Sequence, residues 1–144
     1  YPLRRQRQMC KETGYGSKYQ DILRAAQETT LVLRGELNGQ GVGSSGNKLN
    51  PALKEVPNIR FFGIDNLRGG ITYKLSHAEF IAKAKELGID TVPIIFERKF
   101  NSKEELLATC ETYFAQHVIE GIVVKTPDAR FSAKIMNNYY DSKK

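Results

Sequence analysis

Apolar residues recur along this chain with two periods, about 3.6 and 2, and the switches between them mark out the elements. Tyr19, Ile22, Leu23 and Ala26 form one stripe of a helix predicted over residues 17–29, with Ser17 as N-cap after breaks at Gly14 and Gly16. Thr30-Leu31-Val32-Leu33 reads as a strand that delivers Arg34-Gly35-Glu36 at its end. Residues 59–65 read as a second strand ending in an acid, Asp65. Gly69-Gly70 makes a turn, and residues 71–75 return as a short strand. Two helices then open on capping boxes. Ser76 with Glu79 precedes Phe80, Ile81, Ala84 and Leu87, with Gly88 as the stop. Ser102 with Glu105 precedes Leu106, Leu107, Cys110, Tyr113 and Phe114. Between the two helices residues 91–96 read as a strand, with Pro93 suited to an edge. From Val118 the chain enters Glu120-Gly121-Ile122-Val123-Val124-Lys125, whose β-branched run reads as a buried strand, and Phe131-Ser132-Ala133-Lys134 lies on the next.

Strands and helices mix without a regular βαβ alternation, which predicts an α+β fold with a largely antiparallel sheet. Segment 38–50 is glycine-rich and must be a loop. Its glycines match neither a P-loop nor a dinucleotide fingerprint, so it reads as a flexible surface loop. At 144 residues the chain suits one domain with its own core, and 40% hydrophobic with 26% charged residues puts it among globular proteins. A net charge of +6 suits a polyanionic partner without specifying one. Arg4, Arg5 and Arg7 make the first 16 residues a basic arm, on composition a solvated tail before a phosphate-binding one. Cys10 and Cys110 lack metal-type spacing, which points to free thiols in a reducing compartment, with a disulfide between them as the alternative. No apolar run approaches the roughly 20 residues of a membrane helix, so an intracellular, cytoplasmic protein without membrane contact is expected. The start at Tyr1, with no Met and no signal peptide, suggests a processed product or a fragment. His77 and His117 stand alone as boundary histidines. Neither a Gly-x-Ser-x-Gly elbow nor a His-Glu-x-x-His pair is present.

Three acids carry the candidate chemistry. Glu36, Asp65 and Glu120 each sit at or beside a predicted strand end, and each has a glycine nearby: Gly35, Gly63 and Gly121. A glycine beside a carboxylate lets a ligand approach the backbone closely. Convergent acids would bind a divalent cation or ribose hydroxyls, and Lys125 and Lys134 would balance phosphate charge. The competing reading is three independent solvated acids.

Four strings in order sharpen the choice. They are Arg34-Gly35-Glu36-Leu37 with Gly39-Gln40-Gly41, then Phe61-Phe62-Gly63-Ile64-Asp65, then Glu120-Gly121-Ile122-Val123-Val124-Lys125, then Phe131-Ser132-Ala133-Lys134. From about Leu31 to Tyr139 the chain resembles the covalent nucleotidyltransferases, and within them most closely the ATP-dependent RNA ligases. The resemblance implies a ligase-type nucleotidyltransferase domain, antiparallel sheets flanked by helices around a nucleotide groove. It implies ATP, with AMP as the bound intermediate, Mg²⁺, and RNA or a nicked duplex with 5′-phosphate and 3′-OH ends. Glu36 would contact the ribose, with Arg34 and Gly35 shaping the approach. Asp65 falls on the acid of the nucleotide-contacting strand. Ile64 stands where the family often has an aromatic against adenine, with Phe61 or Phe62 as substitutes. Glu120 would bind the metal, Lys134 the α-phosphate, and Lys125 would support it. Arg5 lies where such ligases keep an arginine ahead of the Gly-Glu motif.

The family's nucleophile is a lysine in Lys-x-Asp-Gly, and none occurs here. Lys11-Glu12-Thr13-Gly14 has the wrong acid in the wrong place. The resemblance therefore implies that residues 1–144 are the C-terminal part of one adenylyltransferase domain. The missing N-terminal segment would carry the lysine, and the chain alone would not self-adenylate. The absence of a following OB fold favours an RNA-ligase type. A non-catalytic nucleic-acid-binding or assembly subunit with the same fold is the alternative, and a DNA ligase or capping-type transferase is a further one.

Overall fold

A computed structural model describes residues 16–42 and 49–140. The basic arm with Arg5 and Cys10, and most of the glycine-rich loop, lie outside the described residues. The elements are α1 (Gly16–Glu28), β1 (Leu31–Asn38), a short 3-10 turn (Pro51–Lys54), β2 (Asn58–Arg68) and β3 (Ile71–Lys74). They continue with α2 (His77–Leu87), α3 (Lys103–Gln116), β4 (Gly121–Lys125) and β5 (Ser132–Met136). The chain is α+β, as the mixed periodicity predicts. None of the described helices is long and apolar enough to cross a membrane. The chain divides into two compact units. Unit 1 is Tyr1–Glu36, Ile59–Val92 and Pro127–Ala129; unit 2 is Leu37–Asn58, Pro93–Thr126 and Arg130–Lys144.

Unit 1 is built on the sheet β1-β2-β3. The predicted stripe of α1 supplies Tyr19, Leu23 and Ala26 to a core with Leu31, Leu33, Phe61, Ile64, Phe80, Ala84 and Ile89. Tyr19 is buried with its polar tip engaged: the Ile59 N–H donates to its hydroxyl at 3.0 Å. β2 and β3 are antiparallel, Asp65 opposite Lys74 and Arg68 opposite Ile71, joined by Gly69-Gly70. Both turn glycines have positive φ, 57° and 81°, the backbone a right-twisting two-residue hairpin needs. α2 starts on the full capping box, Ser76 Oγ accepting from Glu79 N–H and Glu79 Oε1 from Ser76 N–H. It ends at Gly88 in the left-handed region.

The strand expected over residues 91–96 shrinks to one parallel bridge between Phe61 and Thr91. The Val92 N–H donates to the Phe61 carbonyl at 2.9 Å, and there the ladder stops, because Pro93 has no N–H to continue it. β1 and β2 run longer than predicted. Glu36 and Asp65 consequently lie inside strands and not at their ends.

Unit 2 packs α3 against the antiparallel hairpin β4-β5. Cys110, Phe114 and Ile122 are buried together, with Leu106, Tyr113, Val124 and Ile135 against them. Leu107, expected on this stripe, is exposed. Val123 is 59% exposed, so β4 is half-buried and alternating, in place of the fully buried strand its β-branched run suggests. The start of α3 also differs from expectation. Ser102 Oγ accepts from the Glu105 N–H, but the Glu105 carboxylate accepts from the Asn101 N–H at 2.8 Å and pairs with Arg98 at 3.3 Å. Half of a capping box forms.

Candidate functional site

In unit 1 the candidate residues occupy neighbouring strands. Strand alternation puts Arg34 and Glu36 on one face of β1, opposite in direction to the core residues Leu31 and Leu33. Arg34 Nη2 donates to Asp65 Oδ1 at 3.1 Å. The route between them crosses Gly63, where a Cβ would meet the Arg34 guanidinium at 2.5 Å. Gly63 is therefore the floor of an Arg–Asp pair. The space expected for a ligand beside Asp65 is filled by Arg34. Gly35 has a different use: its missing Cβ admits the Phe61 ring, which would lie 2.8 Å away.

Asp65 is 8% exposed, and its pairing matches its burial. Arg34 also reaches the Phe62 ring, with Cζ 5.8 Å from its centroid, and leaves its Nε buried without a hydrogen-bond partner among the described residues. Glu36 is exposed, and nothing among the described residues pairs with its carboxylate. Ile64, expected against the base, is only 1% exposed and belongs to the unit 1 core, as does Phe61. Phe62, 39% exposed, is the member of this string that presents a ring to the surface.

In unit 2 the candidates sit on one hairpin. Lys134 is opposite Val123 and Lys125 opposite Ser132, so both lysines share the outward face while Ile122, Val124 and Ile135 face α3. Glu120 immediately precedes β4, and Lys134 Nζ donates to its Oε1 at 2.8 Å. Gly121 again provides the passage, since a Cβ there would lie 3.3 Å from Lys134 Cε and 2.6 Å from the Ile135 carbonyl oxygen. Both partners of this pair are exposed.

Behind the pair lies a residue that sequence reasoning passes over. Asn137 is 6% exposed and makes hydrogen bonds to both Ile119 and Glu120. In sequence it is the first of two asparagines after a strand, which signals a turn and nothing more.

Among the described residues thiol and imidazole chemistry find no support. Cys110 is fully buried, and desolvation, with Glu111 nearby, pushes its thiol up from the ordinary 9.0. The His117 ring stacks on Tyr113 at 3.8 Å, and the His77 ring lies tilted against Phe80 at 6.5 Å. Among the described residues no three His, Cys, Asp or Glu side chains gather as a metal ligand set. Glu120 offers one exposed carboxylate beside Lys134, while Lys125 stands at the far end of β4. That donor set suits a magnesium ion carried on phosphate oxygens, because Mg²⁺ takes one or two protein carboxylates and keeps water and substrate oxygens.

Lys134 carries a charge-assisted donor of the kind that phosphate oxygens accept from. A family model supplies the next step: the model described as RNA ligase matches residues 3–136. The chain belongs to the RNA ligase family, and its function is of the ligase type. No curated protein matches the chain.

Proposed function

We propose that the chain is the part of an ATP-dependent RNA ligase adenylyltransferase domain that holds the nucleotide and its phosphates. The observation that carries this reading is the family match, which spans all four motif strings in order. Three transfers make up the reaction. A lysine nitrogen attacks the α-phosphate of ATP and pyrophosphate leaves. A 5′-phosphate oxygen then attacks the AMP phosphorus and frees the lysine. A 3′-hydroxyl finally attacks the 5′-phosphate and AMP departs.

In this reading residues of β1 and β2 serve the nucleoside. Glu36 accepts from the ribose hydroxyls, Phe62 offers its ring to the base, and Ile64 backs the strand from the core. Asp65 orients Arg34, and Gly35 keeps β1 close to Phe61. Residues at the β4-β5 hairpin serve the phosphates. Lys134 meets the α-phosphate, Lys125 supports it, and Glu120 is the carboxylate for Mg²⁺, which when bound neutralises phosphate charge. Arg5 lends a further cation from the basic arm. Release of Glu120 by Lys134 leaves each free for its own partner, the metal and the phosphate. RNA or nicked duplex ends are the substrate.

The 144 residues contain no Lys-x-Asp-Gly, and in this reading the nucleophile comes from outside them. Labelled ATP tests this. The full-length product should acquire covalent AMP on a lysine outside residues 1–144, and this chain none. Labelling of Lys11 would overturn the assignment. Retained binding to nicked RNA, with no labelling even of the full-length product, would establish a non-catalytic binding subunit instead.

A further inference from the structure

We infer that Asn137 is a positioning residue for Glu120, holding that carboxylate where Lys134 and a phosphate-borne metal can reach it. The inference rests on the proposed role of Glu120. Its structural basis is independent of that role. Asn137 directly follows β5, and the last register pair of the hairpin is Gly121 with Met136. The next step of the ladder therefore brings Asn137 beside Glu120, and the Asn137 N–H donates to the Glu120 carbonyl at 2.9 Å. Its side-chain Nδ2 donates to the Ile119 carbonyl at 3.0 Å, while Oδ1 accepts from the Tyr139 N–H at 3.0 Å. Its own carbonyl accepts from the Tyr140 N–H at 3.0 Å.

Two consecutive carbonyls, those of Ile119 and Glu120, are thus held by one residue. Fixing both peptide planes fixes the direction in which the Glu120 Cβ leaves the backbone. Ile119 is also held by packing on the Cys110–Phe114–Ile122 core and by its N–H bond to the His117 carbonyl, but neither contact acts on the Glu120 peptide that follows. A turn after β5 would need only the bonds to Tyr139 and Tyr140. The bond to Ile119, 18 residues away in sequence, is surplus to a turn and is aimed at the segment that carries the acid. Burying an asparagine amide is unfavourable unless its groups are paired, and here donor and acceptor are both used. Supporting residues of this kind affect metal affinity or activity by roughly 10- to 100-fold when removed.

Asn137→Asp and Asn137→Ala separate positioning from stability. Aspartate keeps an acceptor for Tyr139 but turns an oxygen toward the Ile119 carbonyl. In the 144-residue chain, the nuclear Overhauser contact between Lys134 Hε and Glu120 Hγ should weaken severalfold in both variants. Contacts between α3 and the inward face of β4 should persist. A lowered melting temperature with the Lys134–Glu120 contact intact would overturn the inference, because Asn137 would then only be structural. In the full-length ligase, Asn137→Asp should reduce end joining by about tenfold, relieved in part by raised Mg²⁺. Loss of the Overhauser contact with joining unchanged would uphold the hold on Glu120 and overturn the proposed role of Glu120 itself.

Discussion

Unit 1 and unit 2 each contain an acid next to a bare backbone position, with a cation laid across it. Arg34 crosses Gly63 to Asp65, and Lys134 crosses Gly121 to Glu120. The distances are alike, 3.1 and 2.8 Å, but the water is not. Side-chain exposure is 33% and 11% for Arg34 and Asp65, against 46% and 57% for Lys134 and Glu120. An exposed pair contributes up to about 1 kcal/mol, and either partner can be released to solvent. Removing one member of a buried pair instead strands a charge, at about 3–5 kcal/mol. The same local device is therefore an anchor in unit 1 and an exchangeable pair in unit 2.

The largest expected effect tests the exchangeable pair. In the full-length ligase, Glu120→Gln or Lys134→Met should lower end joining by roughly 100- to 1,000-fold, the usual loss when a charge-stabilising group is removed. Urea unfolding of the 144-residue chain should move by less than about 1 kcal/mol for either change. A stability loss several times larger would erase the contrast between the units. Arg34→Met should do the reverse in this chain. It should cost about 3 kcal/mol, the lower end for a buried pair because Arg34 is still one-third exposed. Adding Asp65→Asn should recover much of that loss, since no buried charge remains; a simple sum of two losses would show that the pair is not the anchor.

The two glycines should separate as well, with a smaller effect. An Ala side chain at Gly121 meets the Ile135 carbonyl, which is backbone and cannot swing away. Gly121→Ala should cost about 1–3 kcal/mol by urea unfolding. At Gly63 the nearest atoms are the tip of Arg34, so Gly63→Ala should act by dislodging that guanidinium. In the Arg34→Met background Gly63→Ala should then be nearly neutral, and a full additive cost there would mean the glycine is required for backbone packing instead.

What could be read from the chain beforehand follows a physical rule. Features set by a few consecutive residues were legible: the α1 stripe, the Gly69-Gly70 hairpin and the Ser76–Glu79 box all form. Features set by distant partners were not. The β-branched run of β4 carries no mark that Val123 faces outward, because that depends on what packs against the hairpin. Pro93 was legible as an edge signal, and its consequence was larger than an edge: the ladder ends at Val92. Gly63 and Gly121 were legible as places of close approach, but a strand does not announce which cation will cross it. Asn137 was silent for the same reason, since its partner Ile119 lies across the hairpin.

The smallest effect extends the comparison to the two helix starts, which share Ser-x-x-Glu. In unit 1 Glu79 accepts from Ser76, whose hydroxyl and backbone amide hold the carboxyl below its ordinary 4.5. In unit 2 Glu105 turns away from Ser102 to Asn101 and Arg98. A carboxyl whose folded value is depressed contributes stability that is present above the unfolded value near 4.5 and is lost as pH falls through the lower folded value. The advantage of the wild type over Glu79→Gln should thus be constant near neutral pH and shrink on acidification below about 4.5, read by melting temperature across the acid limb. The glutamine keeps a neutral acceptor for the Ser76 N–H, so the difference isolates the charge and not the bond. Ser102→Ala should remove the one cap bond of α3, while Glu105→Gln should loosen Asn101 and Arg98 without disturbing Ser102. If Glu79→Gln tracked the wild type through the whole acid limb, the reciprocal box in unit 1 would contribute no more through its charge than a neutral acceptor does.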